Sequence, residues 1–271
     1  MATAPHDVFL VPQQFLTIRE AIDAIVRPST IMVSPGVYAE DLVLVNTPEV
    51  VITTTHFLRR GVVLVGAAAE SVVHIEKSFV YLSGLEIRSN GRARGIAAVD
   101  SSIALQECVL AGNKVNSAAA SGGAMSCVGS SVRVQKSMIA GNSIESSQPA
   151  TGGGLYLLDC KVEIAGSSIQ ANEISGRSRG RGAGIYCERS RMRLWRSRVT
   201  DNGLFDGQGE GEGAGLYIKE SSAQIGGSVI TGNGVINGKG GGIFISGRPE
   251  DLVVSKNTIL SRNFPDDLVI G

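Results

Sequence analysis

One asparagine recurs at nearly constant spacing through the chain from residue 113 onward. It closes six similar segments, among them SIALQECVLAGN, SVRVQKSMIAGN and KVEIAGSSIQAN. The six positions, separated by 29, 30, 30, 31 and 30 residues, are Asn113, Asn142, Asn172, Asn202, Asn233 and Asn263. A unit of this length cannot bury its own apolar side, so successive copies must stack on one another. The spacing therefore predicts a solenoid with coils of about 30 residues.

The apolar residues within each repeat follow strand periodicity. Val162 and Ile164 alternate with polar residues, and Ile169 stands three places before Asn172, as an aliphatic residue does before every repeated Asn. A second phrase recurs between these segments, with small residues ahead of a short apolar run: GGAMSC, GGGLYL, GAGIYC, GAGLYI and GGGIFI. Each repeat is predicted to hold two or three short strands joined by glycine turns, and no helix. This pattern predicts an all-β fold.

Stacking also predicts what the repeated asparagines do. Neighbouring strands place equivalent residues about 4.8 Å apart. The six side-chain amides are then expected to form a buried column in which each amide bonds the next and satisfies backbone groups at a bend. We interpret the column as structural and not catalytic.

Composition restricts the classes of protein to which the chain can belong. The 271 residues are 43% hydrophobic, include 35 glycines and carry 25 Lys+Arg against 25 Asp+Glu. This favours one β-rich domain over 1–271 and disfavours broad electrostatic binding to nucleic acid or a membrane surface. The sequence shows neither a signal peptide nor a run of 18 apolar residues, so we expect a cytoplasmic protein, with secretion after signal removal left open. The four widely spaced cysteines are expected to be buried, reduced thiols.

The opening part of the chain fits the same architecture. The segment FLTIREAIDAI places four apolar residues on one helical face: Ile18, Ala21, Ile22 and Ile25. It is followed by TIMVSPGVYAEDLVLV, which reads as two strands around a turn at Pro35-Gly36.

These segments and the Asn repeats resemble the right-handed parallel β-helix of the pectate lyase-like superfamily, in which I-x-V-x-P-G-x-Y-x-E is a common opening phrase. The resemblance implies an N-terminal capping helix at about residues 15–27, stacked coils at 28–263 and a tail at 264–271. It implies no single activity, because that superfamily contains lyases, hydrolases, epimerases, esterases and non-enzymes. The tail offers no second capping helix, so we expect the C-terminal end to be closed by the tail or by another subunit, which makes a homo-oligomer a plausible state.

An arginine-rich segment, GRSRGRGAGIYCERSRMRLWRS, begins at Gly176. Aligning Gly182 with Gly213 of the next repeat sets Arg181 against Glu212, and Arg179 against Glu210. Pairing between the two loops is the simplest explanation of the charge. Arg191, Arg193, Arg196 and Arg198 are left over and are expected to face solvent.

An aromatic residue recurs in four of the strands that follow a glycine turn, in GLYLLD, GIYCER, GLYIKE and GIFISG. Tyr156, Tyr186, Tyr217 and Phe244 alternate with inward aliphatic residues and are predicted to form an exposed stripe that binds the apolar faces of sugars. The alternative is that the rings only stack on one another. Under the first interpretation Tyr186→Ala weakens glycan binding and leaves the fold nearly intact.

Charged residues follow the aromatic stripe on consecutive coils. The candidate catalytic residues are Asp159, Glu188, Arg189, Lys219 and Glu220. Paired carboxylates can act as acid and base on a glycan, and a cation can neutralise a uronate. The alternative is a ladder of salt bridges. The sequence lacks the calcium-binding aspartates of pectate lyases and the Asp-Asp pairs of polygalacturonases, suggests no metal site and identifies no cofactor.

The sequence supports two hypotheses about function. The first is a protein that binds or modifies an extended, possibly acidic oligosaccharide or polysaccharide along its outer aromatic groove. The second is a non-catalytic scaffold or assembly module, favoured by the missing family motifs. An enzyme acting on a small molecule in the same groove stays open as a third.

Overall fold

The protein is a right-handed parallel β-helix of stacked coils with one short helix. The computed structural model describes residues 6–55, 61–66, 70–117, 120–206, 210–248 and 252–271. Within these residues the strands form five parallel sheets, two of nine strands and others of ten, five and four. The predicted all-β, single-domain solenoid is confirmed.

Three long sheets run along the solenoid. Sheet 1 contains the strands that follow the glycine turns: Leu42–Val45, Ser71–Glu76, Arg94–Val99, Met125–Val128, Leu155–Leu158, Ile185–Glu188, Leu216–Lys219, Ile243–Ser246 and Leu268–Ile270. Sheet 2 contains the next strand of each coil: Asp7–Val11, Ser29–Val33, Val50–Thr54, Phe79–Ser83, Ser102–Gln106, Ser131–Gln135, Lys161–Ala165, Arg191–Trp195, Ser222–Gly226 and Leu252–Val254. Sheet 3 follows: Gly36–Ala39, Val62–Val65, Leu85–Arg88, Val109–Ala111, Met138–Ala140, Ser168–Gln170, Arg198–Thr200, Val229–Thr231 and Ile259–Ser261.

Two short sheets complete the longer coils. Sheet 4 contains Lys114–Asn116, Ser143–Ser146, Glu173–Gly176, Gly203–Asp206 and Gly234–Val235. Sheet 5 contains Ala150–Thr151, Gly180–Arg181, Gly211–Glu212 and Gly238–Lys239. They enclose a second, smaller core that includes Ile144, Ile174 and Leu204.

The main core is built by alternation along each strand. In Lys161–Ala165 the side chains of Val162 and Ile164 are buried, and Lys161 is exposed. Because the coils stack in register, Val162 lies between Val132 and Met192. Inward residues therefore form continuous apolar columns, which is how a repeat with no core of its own becomes stable.

The predicted asparagine column is present at the bend after sheet 3. In each column member from Asn113 to Asn233, the side-chain Nδ2 donates a hydrogen bond to Oδ1 of the Asn in the next coil, at 2.8–2.9 Å. The same Oδ1 also accepts a hydrogen bond from the backbone N–H of the Asn that donates to it. Asp267 ends the column by accepting two hydrogen bonds from Asn263. Every member of the column is buried. The amides thus satisfy backbone groups that the bend removes from the sheets.

The N-terminal end is covered by a helix at Ile18–Asp23, shorter than the segment 15–27 expected from sequence. Thr17 caps it through a capping box with Glu20, and Ile18, Ala21 and Ile22 are buried. The Glu40 carboxylate accepts the backbone N–H groups of Ile18 and Arg19 at 3.0 and 2.9 Å. The glutamate of the opening phrase therefore holds the cap in place.

The tail adds a strand to the C-terminal end. Leu268–Ile270 pairs with Ile243–Ser246 as the last strand of sheet 1. Leu268 and Ile270 occupy inward positions of that strand but are about half exposed, because this strand is the outermost one described in sheet 1. The tail thus extends the solenoid without fully covering its apolar end.

The remaining sequence expectations concern the cysteines and the arginine loops. All four cysteines are buried, as expected, and burial raises the pKa of the Cys187 thiol to about 11. Arg181 meets Glu212 at 2.8 Å, whereas Arg179 and Glu210, although both described, form no ion pair with each other. No helix in the described ranges is long and apolar enough to cross a membrane.

Candidate functional site

The candidate site predicted from sequence lies on the outer side of sheet 1. Four of the glycine turns, such as the one at Gly182 with φ of 63°, lead into a strand with one outward aromatic residue. The in-register pairing brings Tyr156, Tyr186, Tyr217 and Phe244 into one row. The structure therefore brings all four predicted substrate-binding residues together.

The rings of this row stack on one another and are largely shielded from solvent. Successive ring centroids lie 5.3, 5.2 and 5.4 Å apart with interplanar angles of 10°, 3° and 1°. Tyr186, Tyr217 and Phe244 are only 4%, 3% and 5% exposed. The expected exposed stripe is wrong in this respect, because the spacing of the coils lets each ring cover the face of the next. The predicted role of the row in substrate binding stays a prediction.

Other groups close the row further. The Arg181 guanidinium lies 5.3 Å from the centroid of the Tyr217 ring and is held by Glu212. Tyr156 is half-buried at one end, and Val269 from the tail packs against the other. The aromatic row is thus a small separate core that is partly open to solvent at its Tyr156 end.

The five predicted catalytic residues lie where sheet 1 turns into sheet 2. Asp159, Arg189 and Glu220 occupy equivalent turn positions with φ of 55°, 44° and 46°. Arg189 donates to both carboxylate oxygens of Asp159 at 2.9 Å, across neighbouring coils. The turn geometry thereby sets three charged side chains beside one another along the solenoid.

Glu188 is the centre of this charge cluster. Its carboxylate accepts the Tyr186 hydroxyl at 2.6 Å, Lys219 Nζ at 2.8 Å and Arg189 Nη1 at 3.2 Å. Its side chain is 12% exposed. Glu220 makes no hydrogen bond or ion pair through its side chain with described residues, although its charge helps to raise the pKa values of Arg189 and Lys219. Four of the five residues are therefore directly connected.

The electrostatics of the cluster favour charged carboxylates. Burial pushes the pKa of Glu188 upward, but the hydrogen bonds from Lys219 and Tyr186 outweigh it, so the pKa lies below its ordinary value. The hydrogen bonds from Arg189 lower the pKa of Asp159. Burial and the bond to Glu188 raise the pKa of Tyr186. A general acid needs the opposite shift, so the observed network fits an ion-pair ladder better than an acid–base pair. The catalytic roles of these residues stay predictions.

A second surface, the outer face of sheet 2, carries three aromatic residues that are open to solvent. Phe79, Tyr81 and Trp195 are 65%, 36% and 41% exposed. This face also presents four basic side chains. Arg133 and Lys161 are on strands between Tyr81 and Trp195, and Arg191 and Arg193 are on the same strand as Trp195. We call this surface the basic face. Sequence reasoning placed Arg191 and Arg193 in solvent but missed the aromatic residues, although FVYLS alternates clearly around Phe79 and Tyr81.

Most of the positive charge on the basic face is unpaired. Arg133 meets Glu163 at 3.4 Å. Lys161, Arg191 and Arg193 form no ion pair with any residue in the described part of the chain. The charge that the sequence concentrates after Gly176 is therefore only partly used by pairing between loops, and the remainder is presented to solvent.

Comparison with known proteins agrees with this architecture. The family model described as right handed beta helix region matches residues 71–259. The chain belongs to this family. A solved structure of the pectate lyase Pel9A aligns with this β-helix protein at a TM-score of 0.50 and 11% identity, covering 99% of this chain and 80% of that one. The pectin methylesterase from Aspergillus niger aligns at a TM-score of 0.47 and 12% identity, covering 98% and 89%. No curated protein sequence matches.

The described part of this β-helix protein contains no group of three or more His, Cys, Asp or Glu residues placed to hold a metal ion. Its charged side chains are instead arranged as an ion-paired cluster beside sheet 1 and a largely unpaired basic face on sheet 2. These two surfaces differ in what they can offer a ligand. The first has its donors and acceptors engaged with each other, and the second has free cations beside exposed rings.

Proposed function

We propose that this protein binds an extended, acidic carbohydrate along the basic face. The observation that carries the proposal is that exposed aromatic residues flank unpaired cations on one outer sheet face. Tyr81 lies four strands away from Trp195 on that face. Lys161 is on the strand next to Trp195, and Arg191 and Arg193 are on the same strand as Trp195. The strands of this face pair in register from coil to coil.

The chemistry of the face matches such a ligand. The apolar faces of sugar rings pack on aromatic side chains, and guanidinium groups pair with carboxylate or sulfate in a bidentate manner. From the strand Phe79–Ser83 to the strand Arg191–Trp195 there are four strand spacings, or about 19 Å, which accommodates a chain of several sugars. The solved pectate lyase with the same fold is named for a carbohydrate substrate, and that likeness concerns the fold alone.

The charge cluster on sheet 1 supports binding of a glycan more than its chemical modification. On sheet 1, Glu188 is held by three donors, and its lowered pKa makes it a poor acid. In this proposal the sheet 1 residues stabilise the coils and the glycan contacts sheet 2.

Calorimetric titration of the purified protein with oligogalacturonides and with neutral oligosaccharides of equal length tests this function. We expect the acidic ligand to bind, with affinity that falls as salt is added. The double variant Arg191→Gln/Arg193→Gln should bind at least tenfold more weakly. The matched control Arg177→Gln/Arg179→Gln removes the same charge from a loop elsewhere on the coil and should bind normally. Absence of binding to the acidic ligand, or equal loss in both double variants, would overturn the proposal.

Self-association through the C-terminal end is a second candidate function. It is favoured by Leu268 and Ile270, which occupy inward positions yet are about half exposed, and by the unpaired outer edge of their strand. Analytical ultracentrifugation should then detect a dimer that Leu268→Ser weakens. A monomer at every concentration would contradict it.

A further inference from the structure

We infer that a slot beside Trp195 is a subsite for one sugar ring that carries a carboxylate or sulfate. The inference rests on the proposed function, since it places one ring of the bound glycan at a particular point of the basic face. It adds the chemical class of that ring and the residues that select it.

The slot exists because one coil carries small residues where its neighbours carry large ones. On sheet 2, Gln135, Ala165 and Trp195 occupy the same position of three successive coils. Ala165 and Gly166 form the floor, and Gln135 with Lys136 lies on one side and Trp195 with Arg196 on the other. The concave space is about 660 Å³, within the range of about 300–1,000 Å³ typical of small-ligand sites.

The indole that forms one wall is positioned by a glycine. Trp195 pairs with Gly226 of the next coil. A Cβ atom at residue 226 would lie only 1.5 and 2.0 Å from Cζ3 and Cε3 of the indole. The absence of a side chain at Gly226 therefore provides the space in which the ring of Trp195 lies, while the indole stays partly exposed.

The charges around the slot select an anion. Lys136 and Arg196 line it, and it continues around the turn toward Ser168 and Arg198. Neither Arg196 nor Arg198 is ion-paired with a residue in the described ranges. Lys136 lies 3.8 Å from Glu107, and that long contact leaves it available to a ligand.

One carboxylate also lines the slot. Glu163 is paired with Arg133 at 3.4 Å, which offsets its charge. Lys136 and Arg196 line the slot beside an indole and one ion-paired carboxylate, and Arg198 lies around the turn. This set suits an anionic sugar ring, because the ring packs on the indole while its acidic group meets the guanidinium groups.

Trp195 is the only tryptophan in the chain, so its fluorescence reports on this slot directly. The titration uses three oligosaccharide probes: an oligogalacturonide, a sulfated oligosaccharide of similar charge, and a neutral one. Calorimetry is run in parallel, so that binding anywhere on the protein is measured independently. We expect the acidic probes to shift the Trp195 emission toward shorter wavelength at the concentrations where heat is released.

Two variants with matched controls localise the effect. Gly226→Ala displaces the indole without removing it and should weaken binding about tenfold, whereas Gly234→Ala, whose Cβ meets no atom within 4 Å, should not. Arg196→Gln should weaken binding about tenfold, whereas Arg179→Gln should not. Circular dichroism of each variant verifies that the β-helix is retained, and Trp195→Ala provides a second route if Gly226→Ala fails to fold.

The outcomes separate the inference from the function on which it rests. Heat of binding with unchanged Trp195 emission, or binding insensitive to both Gly226→Ala and Arg196→Gln, would overturn the subsite and leave the function standing. No heat with any probe would overturn both. A response to only the carboxylate or only the sulfate probe identifies the acidic group, and a response to the neutral probe alone contradicts the anion selection.

Discussion

The side-chain amide of Asn172 donates a hydrogen bond to Oδ1 of Asn202 at 2.9 Å and another to the Ile139 carbonyl at 3.0 Å. Its own oxygen accepts from the backbone N–H and the side-chain amide of Asn142. One buried side chain therefore connects three coils and satisfies backbone groups at a bend. Few substitutions can replace all of these bonds at once.

Replacement of Asn172 by alanine should destabilise the fold. The change leaves buried partners in two neighbouring coils unsatisfied, at a cost of about 1–3 kcal/mol in the free energy of unfolding. Urea-induced unfolding followed by circular dichroism measures it. Asn116→Ala, at an exposed position of sheet 4, is the control and should change stability by less than about 0.5 kcal/mol. An unchanged midpoint for Asn172→Ala would argue against a stabilising role for the column.

The glycine turns should tolerate alanine at some positions and not at others. Gly182 and Gly112 both have positive φ, of 63° and 65°. A Cβ at Gly182 would lie 2.5 Å from the Ile185 carbonyl oxygen, whereas one at Gly112 would meet nothing within 4 Å. We expect Gly112→Ala to cost about 1 kcal/mol from backbone strain and Gly182→Ala to cost clearly more. Thermal unfolding of the two variants, compared directly, decides whether the close contact matters.

Removal of the Tyr186 ring should destabilise the protein, contrary to the expectation from sequence that Tyr186→Ala would leave the fold nearly intact. The ring is buried between Tyr156 and Tyr217, so its loss opens a cavity in the aromatic row. A cost of about 3 kcal/mol follows for truncation of a buried aromatic residue. Trp195→Ala, at an exposed position, should cost much less in the same unfolding experiment. Equal stability of Tyr186→Ala and the wild type would mean that the row contributes nothing to the fold.

Acidification should weaken the contribution of Glu188. Its folded-state pKa is lower than its ordinary value of 4.5, so below that value the unfolded chain binds a proton first. The stabilisation is present above the unfolded-state pKa and is lost as pH falls through the folded-state pKa. The stability difference between wild type and Glu188→Gln should therefore be full well above pH 4.5 and shrink as the pH falls below 4.5 and through the lowered folded-state pKa.

Urea unfolding at several pH values measures this difference. Glu49→Gln is the control, because Glu49 is exposed and forms no ion pair with described residues. A difference for Glu188→Gln that is constant with pH would mean that its ion pairs do not stabilise the folded state.

The predicted site shows where reasoning from one sequence succeeds and where it fails. Aligning the repeats correctly placed Tyr186 beside Tyr217 and Arg189 beside Asp159, because register in a stacked solenoid follows from sequence position. It did not predict that the rings would bury one another. Alternation determines on which side of a strand a ring lies, and only the tilt and stacking of the rings determine how much of each is covered.

On the basic face, the sequence did not predict the contact between Trp195 and Gly226. The sequence contains Trp195 and Gly226 one repeat apart, and nothing in their local patterns links them. Their contact depends on the rotamer of the indole and on the height of the next coil, which are properties of the assembled solenoid.

The sequence by itself determined a stacked β solenoid, its register and the asparagine column, because each follows from a repeat that must stack to bury its apolar side. The parallel β-helix and its helical cap were what the resemblance of the opening segments and the Asn repeats implied. The tertiary structure decided which outer surface is open to a ligand. It closed the aromatic row of sheet 1, engaged Glu188 in three hydrogen bonds, and left Arg191, Arg193 and Trp195 in solvent on sheet 2. Exposure and ion pairing depend on distances between side chains of neighbouring coils, and periodicity alone does not contain those distances.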